Sequence, residues 1–337
     1  MPNSPHIPVA HPDIQTWQQD LPHGICLSCR ACGETGRPVL LFLHGFPEGA
    51  WVWDRLLLHF SKPENGGYRC LAPNLRGYER SSAPEDVKAY RAKHLVQDIL
   101  ALIDSACGSA PLAALVAHDW GGAVAWNLAN QHPQRLHQLV IINSPHPGPL
   151  LKALQEDPAQ QAASAYMNFL VQPEAAAQLA ANDFQRLFGF LTGHDTSLAS
   201  LTAHSAMAPV PGWLTLEVQD QYRAVWQHGL QGGLNYYRAS PLRPASANDP
   251  GAKAVQIPAQ ALRIDVPTLL LWAQNDVALL PCLTEGLNAH IAELKLVPIE
   301  QATHWVIHEQ PERVIAEMGA FLQPHTTQHD GLNRGLK

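Results

Sequence analysis

Asp119 stands in the run Ala117-His118-Asp119-Trp120-Gly121-Gly122. An apolar stretch, 112–116, precedes it, and a helical apolar pattern, 123–128, follows. A nucleophile on a tight strand-to-helix turn, flanked two places either side by small residues, is a nucleophile elbow. Ala117 and Gly121 supply those small residues, which the crowded turn demands. The usual occupant of the elbow is serine. A carboxylate attacks a carbonyl poorly, but it can displace a leaving group from saturated carbon and leave an alkyl ester on the enzyme. Asp119 therefore points away from ester hydrolysis and toward epoxide opening or carbon–halogen cleavage.

Two further residues complete a constellation. Asp276 follows the apolar run 266–273, and His304 follows the run 294–299. The order nucleophile, acid, histidine is that of a triad built on an α/β sheet. Asp119 is ionised near neutral pH and needs no activation, so His304 is expected to deprotonate the water that hydrolyses the ester. Asp276 would orient the imidazole and stabilise its cation. Hydrolysis passes through an oxyanion, for which backbone N–H groups of Trp120 and Phe46 are the expected donors. Pro47 has no N–H to offer. Each residue alone has a plainer reading: a turn Asp, a structural His, a helix N-cap at Asp276. The order, with each residue after a strand, favours the catalytic one.

The elements that must position these groups read as α/β. Strands are predicted at 38–44, 68–73, 112–118, 136–143, 266–273 and 294–299, with helices at 51–60, 95–106, 122–131 and 311–322. Alternating strands and helices imply a mostly parallel sheet with helices on both faces. From 144 to 239 the pattern is helical without strands, best at 151–169, 174–191 and 216–227, and 240–261 reads as a Pro- and Ala-rich return linker. The expected division is a core of 1–143 and 262–337 with a helical cap and linker at 144–261.

Composition sets the limits. A chain of 337 residues with 46% hydrophobic content can build one large domain with an insertion. A net charge of −7 argues against a nucleic-acid partner. No apolar run reaches the length of about 18 residues needed to span a membrane. Residues 1–13 lack the features of a signal peptide, so a cytoplasmic location is expected. Cys26, Cys29 and Cys32 are spaced like metal ligands, but no second Cys/His cluster completes a site. Reduced thiols are the expectation, with no metal and no cofactor.

Four segments carry a resemblance. His44-Gly45-Phe46-Pro47-Glu48, Asn74-Leu75-Arg76-Gly77-Tyr78, His118-Asp119-Trp120-Gly121-Gly122 and Thr303-His304-Trp305 are similar to the epoxide hydrolase and haloalkane dehalogenase branch of the α/β-hydrolase fold. The likeness runs from about residue 14 to 323 and implies that fold, with an inserted helical cap. It also implies two cap tyrosines that protonate an epoxide oxygen. Leu234-Asn235-Tyr236-Tyr237-Arg238 resembles the segment with the second tyrosine, at Tyr237, and Tyr166-Met167-Asn168-Phe169-Leu170 resembles that with the first, at Tyr166. An alkoxide leaves poorly, and two phenols can share its developing charge.

The implied activity is hydrolysis of a small hydrophobic epoxide to a vicinal diol by water. A haloalkane or haloacid dehalogenase is the alternative; the haloacid form would need Arg beside the nucleophile, where this chain has Trp120, Gly121, Gly122 and Ala123. A non-catalytic ligand-binding protein on this fold is a third reading. Phe46, Pro47, Trp120, Phe169, Leu170 and Trp305 are the expected pocket lining. Asn74 departs from the family's usual Asp, and a changed hydrogen bond is expected there.

Overall fold

The computed structural model describes residues 11–193, 210–246 and 249–322. Eight strands form one sheet: β1 Gln15–Asp20, β2 Cys26–Cys32, β3 Val39–Leu43, β4 Arg69–Pro73, β5 Ala114–His118, β6 Leu139–Ile142, β7 Thr268–Ala273 and β8 Leu294–Ile299. Their spatial order is β1-β2-β4-β3-β5-β6-β7-β8. The six from β4 to β8 run parallel, and β1 and β2 add an antiparallel edge.

Every residue of β3, β5, β6 and β7 is buried. Continuous apolar runs are what a parallel sheet covered on both faces requires. Alternate side chains feed two cores. Leu41, Leu43, Leu115 and Ala117 enter one, and Leu40, Phe42, Ala114 and Val116 enter the other. The first core is closed by α2 Ala92–Cys107 and α3 Asp119–Gln131, the second by α1 Asp54–Phe60 and a C-terminal helix, 311–321. The same alternation separates the cysteines of β2: Cys29 belongs to one core and Cys32 to the other. No group of three potential metal ligands forms among the described residues.

Between β6 and β7 the described elements are helical: α4 Pro147–Glu156, α5 Pro158–Ala163, α6 Tyr166–Leu170, α7 Ala175–Leu191, α8 Leu216–Trp226 and α9 Gln231–Ala239. The predicted single helix at 151–169 is instead three. Pro158 starts α5 because it has no N–H to give to α4, and the Asp157 side chain caps the new start by accepting from Ala159 N at 2.9 Å. The predicted helix at 174–191 is interrupted: Asn182, Asp183 and Phe184 all take positive φ. Asn and Asp tolerate that region better than most residues, which is why the pattern hid the break. α9 lies within the stretch read as helical but is not among its best patterns, since Gly232 and Gly233 lower helix propensity. α10 Val306–Glu309 and α11 Pro311–Phe321 end the described chain. No helix among the described residues is long and apolar enough to cross a membrane.

Asn74 follows β4 and is buried. Its Oδ1 accepts from Ala50 N at 2.8 Å, and its Nδ2 donates to Ser28 Oγ at 3.0 Å and Glu79 Oε2 at 3.2 Å. A carboxylate in its place has nothing to donate and would face the Glu79 charge. Asn74→Asp is expected to cost about 1–3 kcal/mol of stability by urea unfolding, with the triad geometry kept.

Candidate active site

The predicted catalytic residues gather at the carboxyl ends of the parallel strands, where sheets of this class bind ligands. Asp119 leaves β5, Asp276 follows β7 and His304 follows β8. Asp119 has φ 48°, the left-handed conformation of an elbow. Gly121 is required by crowding rather than by its own dihedrals: a Cβ there would lie 2.4 Å from the Leu43 carbonyl oxygen. The backbone of α3 thus packs directly against the end of β3.

The loop that leaves that same end carries Phe46, the first of the two expected oxyanion donors. Phe46 N donates to Asp119 Oδ1 at 2.7 Å. Gly45 is in contact with the same carboxylate, so a Cβ there would meet Asp119 Oδ1 at 2.3 Å. His44 holds the loop by accepting from Leu75 N at Nε2 (3.0 Å), and burial lowers its imidazole to about 4, so it stays neutral. Trp120 is the second residue of α3, where amides lack intrahelical partners, so its N–H suits the second oxyanion donor.

His304 Nδ1 and Asp276 Oδ2 are 2.7 Å apart, and Asn143 Nδ2 donates to that same oxygen at 2.9 Å. Asp276 Oδ1 accepts from Ala278 N and Leu279 N, each at 2.9 Å. Burial works to raise the Asp276 carboxyl, but the His304 charge and these donors hold it below the usual range. His304 Nε2 stands 3.7 Å from Asp119 Oδ2, too far for a hydrogen bond. Burial alone would lower the His304 imidazole; Asp276 first, then Asp119 and Glu48, outweigh it and lift it to about 9.

A second buried cluster lies beneath the triad. Glu48 is fully buried and accepts from Tyr222 OH at 2.9 Å, with His308 Nε2 at 2.9 Å and His118 Nδ1 at 3.1 Å. The other His118 nitrogen faces the His304 carbonyl oxygen at 3.0 Å. Both ring nitrogens of His118 therefore face acceptors. Burial works to raise the Glu48 carboxyl, but the bonds and charges of His118 and His308 hold it well below the carboxylate range. Sequence reasoning gave this cluster no role. Its members lie far apart in the chain, and only Glu48 and His118 fall within the quoted motifs.

Tyr166 opens α6 and Tyr237 lies in α9. Their ring centroids are 6.2 Å apart, nearly perpendicular, and Tyr237 packs edge-on against Trp120 (5.0 Å) and Phe46 (5.4 Å). Burial first, reinforced by the Asp119 charge, raises both phenols, so both remain donors. Tyr236 is engaged elsewhere: its hydroxyl donates to the Arg76 carbonyl at 2.9 Å. Asp119, Tyr166 and Tyr237 line two adjoining cavities. One, of about 110 Å³, also meets His304, Asp276, Phe190 and Trp305. The other, of about 320 Å³, meets Trp120, Leu95, Val124, Leu150, Met167 and Leu242.

Of the expected lining, Phe46, Trp120 and Trp305 face these cavities, whereas Pro47, Phe169 and Leu170 face neither. Leu170 is wholly within the core, Phe169 lies under the Arg186 guanidinium at 4.5 Å, and the Pro47 carbonyl takes the Trp226 indole N–H at 2.6 Å. Helix periodicity puts residues three and four after Tyr166 on its own face, but Phe169 packs under Arg186 and Leu170 is taken into the core.

A family described as alpha/beta hydrolase fold matches residues 38–311. The chain belongs to this family. AB hydrolase superfamily protein YfhM of Bacillus subtilis is 32% identical, over 86% of this chain and 91% of that protein. Epoxide hydrolase 4 of Homo sapiens is 30% identical, over 89% of this chain and 76% of that protein. A solved structure of a novel epoxide hydrolase from hot-environment metagenomes is 37% identical, with a TM-score of 0.73, over 92% of this chain and 99% of that one. An epoxide hydrolase of Vigna radiata is 28% identical, with a TM-score of 0.72, over 92% of this chain and 98% of that one.

A pH dependence of stability follows from His304. Its folded value, about 9, lies above the ordinary 6.5, so its contribution is complete below pH 6.5 and is lost as pH rises through about 9. The unfolding free energy is expected to fall across that window, and His304→Gln to flatten the fall, measured by urea titration at stepped pH.

Proposed function

We propose that this α/β hydrolase opens an epoxide to a vicinal diol through an alkyl ester on Asp119. The observation that carries the reading is the pair of buried phenols, Tyr166 and Tyr237, lining both cavities with the nucleophile. The names of the similar proteins, several of them epoxide hydrolases, support it.

Asp119 Oδ1 is occupied by the Phe46 N–H, which leaves Oδ2 to attack an epoxide carbon. The C–O bond of the ring breaks as the phenols donate to the departing oxygen, and one phenol delivers the proton that makes it a hydroxyl. Water then attacks the ester carbonyl and gives its proton to His304. The oxyanion forms at the oxygen already facing the Phe46 N–H, with Trp120 N–H as the proposed second donor. Collapse breaks the ester bond to the diol oxygen, which takes the proton of the newly added hydroxyl, so the diol leaves and Asp119 returns as a carboxylate beside the imidazolium.

The electrostatics suit this order of events. Before attack, the Asp119 charge helps to keep the imidazole protonated. Esterification removes that charge, so the imidazolium gives its proton more readily to the tyrosinate left by ring opening and is then free to act as the base. None of these steps requires a metal or an organic cofactor.

In this reading 144–261 act as a cap that supplies the proton donors and closes the pocket, over a core of 1–143 and 262–337. The lining of the two cavities includes no Lys or Arg among the described residues, which favours a neutral, apolar epoxide. A halide reading has no use for two phenols, and a haloacid reading lacks the Arg that would hold a carboxylate.

Purified protein should convert styrene oxide to its diol and release no bromide from 1-bromobutane, followed by chromatography and halide assay. Bromide without diol would overturn the proposal. Tyr237→Phe is expected to lower kcat for the epoxide by about 10²-fold or more.

A further inference from the structure

The two phenols come from different helices, and something must hold them in register. α9 is fixed to the core on its own account. The Tyr236 hydroxyl bonds the Arg76 carbonyl, and the backbone of Gly232 lies against Gly77, where a Cβ on Gly232 would come within 2.3 Å of the Gly77 Cα. α6 is short, with only five residues, and its position must be set from outside.

Arg238, the neighbour of Tyr237, reaches the chain that leaves α6. Its Nη2 donates to the Gln172 carbonyl at 2.7 Å and its Nε to the Val171 carbonyl at 3.3 Å. Its Nη1 donates to Asn235 Oδ1, one turn back in α9, at 3.1 Å. All three contacts are to neutral acceptors. The guanidinium therefore serves geometry rather than charge neutralisation. Two parallel donors of a rigid fork fix both the distance and the angle between two segments. The positive charge also suits the carbonyl end of α6.

We propose that Arg238 is a positioning residue, strapping α6 to α9 so that Tyr166 and Tyr237 address the same epoxide oxygen. This inference rests on the epoxide reading above. Arg238 touches no reacting atom, and its effect passes through the placement of Tyr166. The step it governs is ring opening. Hydrolysis of the ester depends on His304, the Phe46 N–H and water, none of which Arg238 contacts.

The test is single-turnover kinetics that resolve ester formation from ester hydrolysis, with styrene oxide and enzyme in excess. Arg238→Met and Arg238→Lys are compared with the unaltered protein, and Arg238→Met is repeated in a Tyr166→Phe background. Misplacement by about an ångström can cost up to about 10²-fold, so Arg238→Met is expected to slow ester formation by at least about tenfold. The hydrolysis step is expected to stay within about twofold. Arg238→Lys, a point donor that can satisfy one carbonyl at a time, is expected to fall in between. In the Tyr166→Phe background the Arg238→Met loss is expected to shrink below about twofold, because the group being positioned is gone.

An equal loss in both backgrounds, or a loss shared by both chemical steps, would overturn the inference. So would unimpaired ester formation in either single variant. If Arg238→Met does not fold, Arg238→Lys alone still decides, by whether its loss is confined to ester formation. An unaltered protein that opens no epoxide would fail the reading on which this rests, a result distinct from a working enzyme indifferent to Arg238.

Discussion

Three carboxylates and three imidazoles share one buried site, and their mutual compensation is the constraint on which the rest depends. Asp276 and Glu48 are almost wholly buried, and neither could remain ionised in an apolar interior alone. Asp276 is matched by His304 and three further donors; Glu48 is matched by His118, His308 and Tyr222. The His118 and His304 rings lie 4.7 Å apart, so the two compensated sets are in contact. Asp119 is the remaining carboxylate, 3.7 Å from His304 Nε2, and on the proposed reading it is the carboxylate whose charge is removed and restored during turnover.

The sheet exists to bring these groups together. Parallel strands end on one edge, so β5, β7 and β8 bring together Asp119, Asp276 and His304, which are separated by many residues in sequence. The insertion then returns to the core at several points: Tyr222 to Glu48, Trp226 to the Pro47 carbonyl and Tyr236 to the Arg76 carbonyl. Two of these contacts land on the loop that also presents Phe46 N–H to Asp119. Helix docking and the Phe46–Asp119 hydrogen bond are thereby coupled through residues 46–48.

Much of this was legible in the chain. The buried strands are unbroken apolar runs, so their positions could be read within a few residues, and the order of Asp119, Asp276 and His304 carried the triad. Tyr166 and Tyr237 were reached through resemblance, and the structure brings them to the same cavities as Asp119. What escaped depends on contacts between distant residues. Nothing local distinguishes Glu48 from a surface glutamate. The antiparallel β1 mixes Gln, Thr and Trp without a clean apolar alternation, as an exposed edge permits. The break in α7 relies on three consecutive residues in the left-handed region, which no apolar period records.

The central claim is that Asp119 acts as a nucleophile toward carbon, not as a base toward water. A single turnover in water enriched in oxygen-18, with enzyme in excess over styrene oxide, tests it most directly. The account predicts that the first diol carries an unlabelled oxygen taken from Asp119, and that the peptide containing Asp119 gains the heavy isotope. Heavy oxygen in the first diol with an unlabelled Asp119 would contradict it, because water would then have opened the ring without an ester.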